Sequence, residues 1–279
     1  MKPATIAKAV AALGLISAVS AYAQSYGNCV ITGQKGSIPI KPFIPGQLTV
    51  QTVLPAPGWY NGDTTATIKD GFEYCMAANI AYRAGLDKLV IQNVSRDALM
   101  TGRTKDFDLA LAVVSITPER KKVVNFSVPY FKSNIGVLVK SGSKVTEENI
   151  RSKRIGVRQA TAGYTYATTF LKPTEPLKVF ADTTEVFTAL AAGQVDVAMS
   201  DTSYLLGQAA KSNGMMKVVA QYSSPQEYGA VFPAGSANEA AINKAIEEMK
   251  ADGTLASLEQ KQLGEKWGTS PAAIPFWKP

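Results

Sequence analysis

The chain has 279 residues, 46% of them hydrophobic and 18% charged, a balance that fits a globular protein large enough for two cores. Its 29 Lys and Arg against 22 Asp and Glu give a formal net charge of +7, but no dense basic helix or aromatic–basic module accompanies the surplus, so solvated lysines replace a nucleic-acid reading. With no histidine and two cysteines, histidine-metal sites and triads with an imidazole base are excluded.

Lys2 and Lys8 precede an apolar run from Ala9 to Val19, and Ala21-Tyr22-Ala23 follows. This is the pattern of a cleavable secretory signal peptide over residues 1–23. The run is too short to span a bilayer, and no later stretch is long and apolar enough to do so. Cleavage after Ala23 removes two lysines and no acid, which lowers the net charge from +7 to +5. A soluble, exported mature chain is expected. In an oxidising compartment the two cysteines are expected to pair, stapling the arm around Cys29 to the helix carrying Cys75. Two unrelated buried thiols are the alternative.

Gln24 to Gly46 is an arm rich in Gly, Pro and Lys, read as extended without a regular helix. Gln47 to Val53 alternates like a strand. The loop from Leu54 to Thr67 carries Trp59 and Tyr60, an adjacent aromatic pair that suits either a cleft wall or a core anchor. From Asp70 to Ala84, Phe72, Met76 and Ile80 fall on one helical face. Leu89 to Asn93 reads as a strand. Phe107 to Val114 is apolar and partly β-branched, the mark of a strand buried on both faces. Ser115, Thr117 and Pro118 end it, and Glu119-Arg120-Lys121-Lys122 begins a charged turn or short helix. Ligands of open α/β sheets sit beyond the carboxyl ends of strands, where Arg120 and Ser115 would leave this one. An arginine fork there matches a carboxylate, although a solvated basic turn explains the same residues.

Asp108, Ser115, Thr117, Glu119, Arg120, Phe126, Ser127, Pro129 and Tyr130 together form a long pattern. It resembles the signature of the periplasmic solute-binding proteins for polar amino acids. The resemblance runs from about Gln47 to Gly268. It places a ligand carboxylate on Arg120 and Ser115, with Val113 just before them. Gln92 falls where that family often covers the ligand with an apolar residue. Cys75 replaces an acid in the stretch Gly71-Phe72-Glu73-Tyr74-Cys75, which supports a structural role for it.

Beyond the signature, Asn134 to Lys140 reads as a strand crossing between lobes, and Val145 to Ile150 as a short helix. Arg154 to Arg158 is a strand, and Gln159-Ala160-Thr161-Ala162-Gly163 leads into a helix over Tyr164 to Leu171, with Ala160 in place of a common family glycine. Amides at such a helix start attract anions, so Thr161 is a second candidate carboxylate contact; a plain helix cap is the alternative. Asp182 to Ala192 reads as a helix with Glu185 in capping spacing. A buried strand follows Gly193, with Asp196 structural and Asp201 at its end. The resemblance gives an acid at Asp201 the ligand's α-ammonium, while its place before a helix over Thr202 to Lys211 makes it a cap, and it can be both. Met216 to Gln221 is a strand, and Tyr228 to Phe232 looks like the return crossing. Ser236 to Lys250 is a helix with Ser236 and Glu239 in capping-box spacing. Thr254 to Lys266 closes the pattern before a tail rich in proline.

The resemblance implies an α/β, two-lobed periplasmic-binding-protein fold, each lobe a mostly parallel sheet flanked by helices, with two hinge crossings. Lobe 1 is expected over 24–139 plus 229–279 and lobe 2 over 140–228. The implied function is capture of a polar amino acid in the interlobe cleft for an inner-membrane ABC permease. A monomeric periplasmic protein without cofactor, metal or catalytic residues is expected. The ligand set is Arg120, Ser115, Val113, Asp201, Thr161, Arg158, Trp59 and Gln92. Arg158 and Gln92 hint at a polar or acidic ligand side chain. Two other readings stay open. One is an exported enzyme of the cyclohexadienyl dehydratase type, with Glu227 and Asp201 as candidate acids. The other is a scaffold repurposed to dock a protein through its arm and tail.

Overall fold

The computed structural model describes residues 26–279; the expected signal peptide, residues 1–23, lies outside the described residues. In chain order come β1 (Gln47–Thr52), α1 (Phe72–Arg83), β2 (Lys88–Asn93), α2 (Arg96–Met100), β3 (Leu109–Ala110), α3 (Pro118–Lys121), β4 (Asn125–Phe126) and β5 (Phe131–Lys140). Next are β6 (Ile155–Arg158), α4 (Ala162–Tyr166), β7 (Lys178–Phe180), α5 (Thr183–Ala191), β8 (Val197–Asp201), α6 (Thr202–Lys211) and β9 (Met216–Tyr228). The chain closes with β10 (Val231–Phe232), α7 (Glu239–Ala251), α8 (Thr254–Leu258), α9 (Glu265–Trp267) and β11 (Phe276–Trp277).

Two mixed sheets divide these strands, in the orders β2-β1-β3-β10-β4 and β11-β9-β5-β8-β6-β7. Every antiparallel pairing involves β5 or β10; the remaining pairings are parallel. The long strands β5 and β9 pair from Phe131–Tyr228 at one end to Lys140–Met216 at the other, and so carry the chain between the lobes. From Ile135 to Leu138 β5 also pairs with β8. The apolar residues Ile135, Val137, Leu138 and Val139 are buried, which holds that part of β5 inside the second sheet.

Phe72, Met76 and Ile80 of α1 are fully buried, but so is almost every other residue of the helix, which is covered on all sides rather than on one face. Among the described residues, the arm before β1 carries no regular helix. It is fastened to α1 by a Cys29–Cys75 disulfide with Cα atoms 5.2 Å apart, which removes the two-thiol alternative. Arg83 at the end of α1 is buried and pairs with Asp252 at 2.5 Å and Glu248 at 3.3 Å. Four local expectations shift. The apolar run 107–114 is buried throughout, but only Leu109–Ala110 is strand, because the backbone turns at Val113 with φ +52°. The short helix expected over Val145–Ile150 is displaced to a 3-10 turn of helix at Ile150–Ser152: the Asn149 side chain accepts from Thr146 N and donates to the Lys144 carbonyl, competing with helical bonds before it. α7 starts at Glu239, not Ser236, because the Asn238 side chain is bonded in both directions to the Lys41 backbone and Glu239 accepts from Asn125. The tail, expected with lobe 1, adds β11 to the edge of the second sheet beside β9.

Candidate functional site

The carboxyl ends of β1, β2 and β3 face those of β6, β7 and β8. That is where open α/β sheets hold ligands. Between them lies a cavity of about 30 Å³ lined by Val53, Ala56, Arg96, Val113, Arg158, Thr161, Thr183, Ser200, Asp201 and Tyr204. It shares Val53, Arg96 and Arg158 with an outer recess of about 760 Å³ that also touches Ser95, Ala160 and Asp182. An amino acid needs more than the volume of one water. The small cavity alone is too tight for an amino acid, whereas the recess that shares its arginines is not.

From the first lobe, Thr117 caps α3 by accepting from the Arg120 amide at 3.3 Å. This sets the Arg120 side chain over the cleft, where Nη1 donates to the Ser115 carbonyl at 2.7 Å and Nη2 to the Ala160 carbonyl at 3.0 Å. Burial, and then repulsion from Arg96, pulls its pKa down to about 10, so it remains charged at neutral pH. Arg96, the first residue of α2, is buried and donates through Nη1 to the Ala112 carbonyl at 3.3 Å, while its Nε has no protein partner. The Val113 amide donates to the buried Glu73 carboxylate at 2.8 Å, which holds the left-handed backbone of a β-branched residue.

From the second lobe, Asp201 ends β8 and precedes α6, yet its side chain makes no capping hydrogen bond. Its Oδ1 is buried without a partner. Burial raises its pKa, opposed by the charges of Arg96 and Arg120. Thr161 is the cap foreseen as the alternative: it accepts from Tyr164 N and donates to the Arg158 carbonyl, and it also lines the cavity. A Cβ on Gly163 would lie 2.6 Å from the Met199 carbonyl oxygen, so only glycine lets α4 seat against the end of β8. The Arg158 guanidinium donates to the Ala181 carbonyl and the Thr183 hydroxyl at 3.3 and 3.2 Å.

The structure thus gathers Val113, Arg158, Thr161 and Asp201 around one cavity, with Arg120 reaching across the cleft beside it and Ser115 buried next to the return strand. Two expected residues are not brought there. Trp59 is a core anchor, fully buried and edge-on to Phe72, Phe131 and Tyr228. Gln92 sits on β2 and accepts from the Gln51 side chain at 3.2 Å. Arg96, Thr183, Ser200 and Tyr204 line the cavity without having been singled out. Arg96 did carry a signal, since an arginine at a helix start opposes the helix dipole.

Residues 56–265 match the model of the bacterial extracellular solute-binding proteins, family 3. The chain belongs to this family. Among its family 3 relatives, the L-cystine-binding protein TcyJ of Escherichia coli is 29% identical over 198 residues, 70% of this chain and 74% of the relative. The glutamine-binding protein GlnH of Bacillus subtilis is 33% identical over 57% of this chain and 59% of the relative. An ancestral arginine-binding protein solved with arginine shares the fold at a TM-score of 0.67, with 31% identity over 78% of this chain and 99% of that one. A precursor of cyclohexadienyl dehydratase, described as an ancestral amino acid-binding protein, superposes at a TM-score of 0.66, with 25% identity over 78% of this chain and 95% of that one. The family 3 fold is thus the two-lobed one seen here. Among the described residues no helix is long and apolar enough to cross a membrane.

Proposed function

We propose that this chain is the substrate-binding component of an amino-acid ABC importer. After loss of residues 1–23 it acts as a monomer in the periplasm and presents its ligand to an inner-membrane permease. Lobe 1 comprises residues up to the start of β5 together with the segment from Gly229 to Gly268, and lobe 2 the rest. One observation carries the reading. The buried Asp201 carboxylate, with one oxygen lacking a partner, is offered by the second lobe opposite Arg96 and Arg120 of the first. An α-ammonium completes Asp201, and an α-carboxylate replaces the carbonyl oxygens on the Arg120 fork. Neither contact is complete with the lobes apart, so ligand favours closure by what both contacts add there.

An enzymatic role finds less support. Glu227, one candidate acid, pairs with the exposed Lys132 at 3.4 Å and does not line the cavity, and Asp201 is the one acid among the lining residues. The test is titration calorimetry of refolded, ligand-stripped protein against the twenty amino acids and carboxylates lacking the amine. Saturable binding near the micromolar range, about −8 kcal/mol, is expected for an amino acid and not for its amine-free counterpart. The gap should shrink in Asp201→Asn. Absence of heat from every amino acid would overturn the reading.

A further inference from the structure

We propose that the ligand of this cleft is an amino acid with an anionic side chain, its second carboxylate held between Arg96 and Arg158. The inference rests on the amino-acid-binding reading and narrows it. Two guanidinium groups line the small cavity from opposite lobes, and a third, Arg120, spans the cleft beside it. Asp201 lines the same space, and Asp182 lines the adjoining recess and acts on Arg158, so three guanidinium groups face two carboxylates. A zwitterionic ligand brings one charge of each sign, so with a neutral side chain the closed site keeps an unbalanced positive surplus in a poorly hydrated space. An anionic side chain removes one unit of that surplus. A cationic side chain adds one.

The donors are placed for such a group. Arg96 is buried and its Nε finds no acceptor in the protein, which leaves a charged donor to be satisfied by whatever enters. Arg158 is held by the Ala181 carbonyl and the Thr183 hydroxyl, both from the edge of the second lobe, so its position is fixed before any ligand arrives. The proximity of the two guanidinium groups is felt as mutual repulsion, since the Arg96 charge lowers the pKa of Arg158 after burial does. A carboxylate between them offers acceptors to both and relieves that repulsion. With Arg120 taking the α-carboxylate and Asp201 the α-ammonium, each of the three ligand charges then has its own partner.

The experiment is calorimetric titration with L-aspartate, L-glutamate, L-asparagine, L-glutamine and L-arginine, on wild type and on Arg158→Gln. Arg158 is partly exposed, and circular dichroism of the variant checks its fold. In wild type one of the two acids should bind at least about tenfold more tightly than its own amide, and L-arginine about a hundredfold more weakly than that acid. In Arg158→Gln the acid should lose about tenfold while the amide changes by less than about threefold. If an amide or L-arginine binds more tightly than both acids, or if Arg158→Gln leaves the preference intact, the proposal is wrong and the amino-acid reading stands. If none of the five, nor any other amino acid, binds, the reading beneath it falls as well.

Discussion

Arg120 bonds across the cleft: its Nη2 donates to the Ala160 carbonyl at 3.0 Å while Nη1 holds the Ser115 carbonyl of its own lobe at 2.7 Å. Both acceptors are neutral, and a ligand carboxylate would give the same fork charged ones. Charge-assisted bonds are worth about 1.5–3 kcal/mol each, so Arg120→Ala should weaken ligand binding by at least about a hundredfold. The side chain is part-exposed and, among the described residues, bonds only to two backbone carbonyls, so stability should change by less than about 1 kcal/mol. Calorimetry and urea denaturation of the same variant check both halves. Unchanged affinity would remove Arg120 from the site.

The carbonyl that Arg120 reaches belongs to a strained residue. Ala160 has φ +56°, a conformation that costs an alanine about 1–2 kcal/mol and a glycine almost nothing. Part of the gain from glycine is returned through its freer unfolded chain. Ala160→Gly should therefore stabilise the protein by about 0.5–1 kcal/mol, read as a shift of the urea midpoint at constant m-value. A loss of stability would mean that the strain is relaxed in solution.

Beneath the cleft, Glu73 is fully buried and accepts hydrogen bonds from the Val113 amide at 2.8 Å and from the Tyr130 hydroxyl. Burial pushes its pKa from the ordinary 4.5 up to about 7, against those bonds and the nearby Arg96 charge. Between these values the folded state holds a proton that the unfolded state releases. Glu73 therefore favours folding below about pH 4.5, and that advantage is lost as pH rises through 7. The interval corresponds to roughly 3 kcal/mol. Relative to wild type, Glu73→Gln should gain about 2–3 kcal/mol of stability between pH 5 and pH 8, measured by urea denaturation at each. A pH-independent difference would show that Glu73 keeps one charge state throughout.

What was legible in the sequence was local or carried by a long motif. Helix α1 followed from Phe72, Met76 and Ile80, and the cap of α5 from Asp182 and Glu185, which form a reciprocal box. Asp201 was legible as a position, but its freedom from capping was not, because its carboxylate is turned toward Tyr228 at the end of β9, distant from it in sequence. Arg96 went unread since its burial is created by Ala112 and the second lobe, far from it in sequence. The Ser236 capping box failed for a similar reason: Asn238 is engaged by the arm at Lys41, nearly two hundred residues earlier. Local pattern reports what a residue can do, and tertiary partners decide which option is taken.

The tail shows the same choice at larger scale. Phe276–Trp277 pairs with Gln221 and Tyr222 of β9, and the Gln221 side-chain amide donates to the carbonyls of Pro271 and Ile274 at 2.8 and 2.9 Å. The Gln221 backbone amide donates to the Pro275 carbonyl at 2.8 Å, and Lys278 N donates to the Glu147 carboxylate at 2.9 Å. Removing residues 269–279 leaves these buried donors of Gln221 without acceptors and uncovers the apolar cluster that Trp277 packs against. At about 1 kcal/mol per lost bond plus the exposed apolar area, truncation should cost roughly 3–5 kcal/mol. Gln221→Ala should cost about 1–3 kcal/mol of that. None of the tail residues lines the cavity, so the affinity of the truncated protein for its amino acid should stay within about threefold of wild type. Intact stability would show that the strand is not held in solution, whereas intact stability with altered affinity would make the tail a tether on lobe opening rather than a brace for the second sheet.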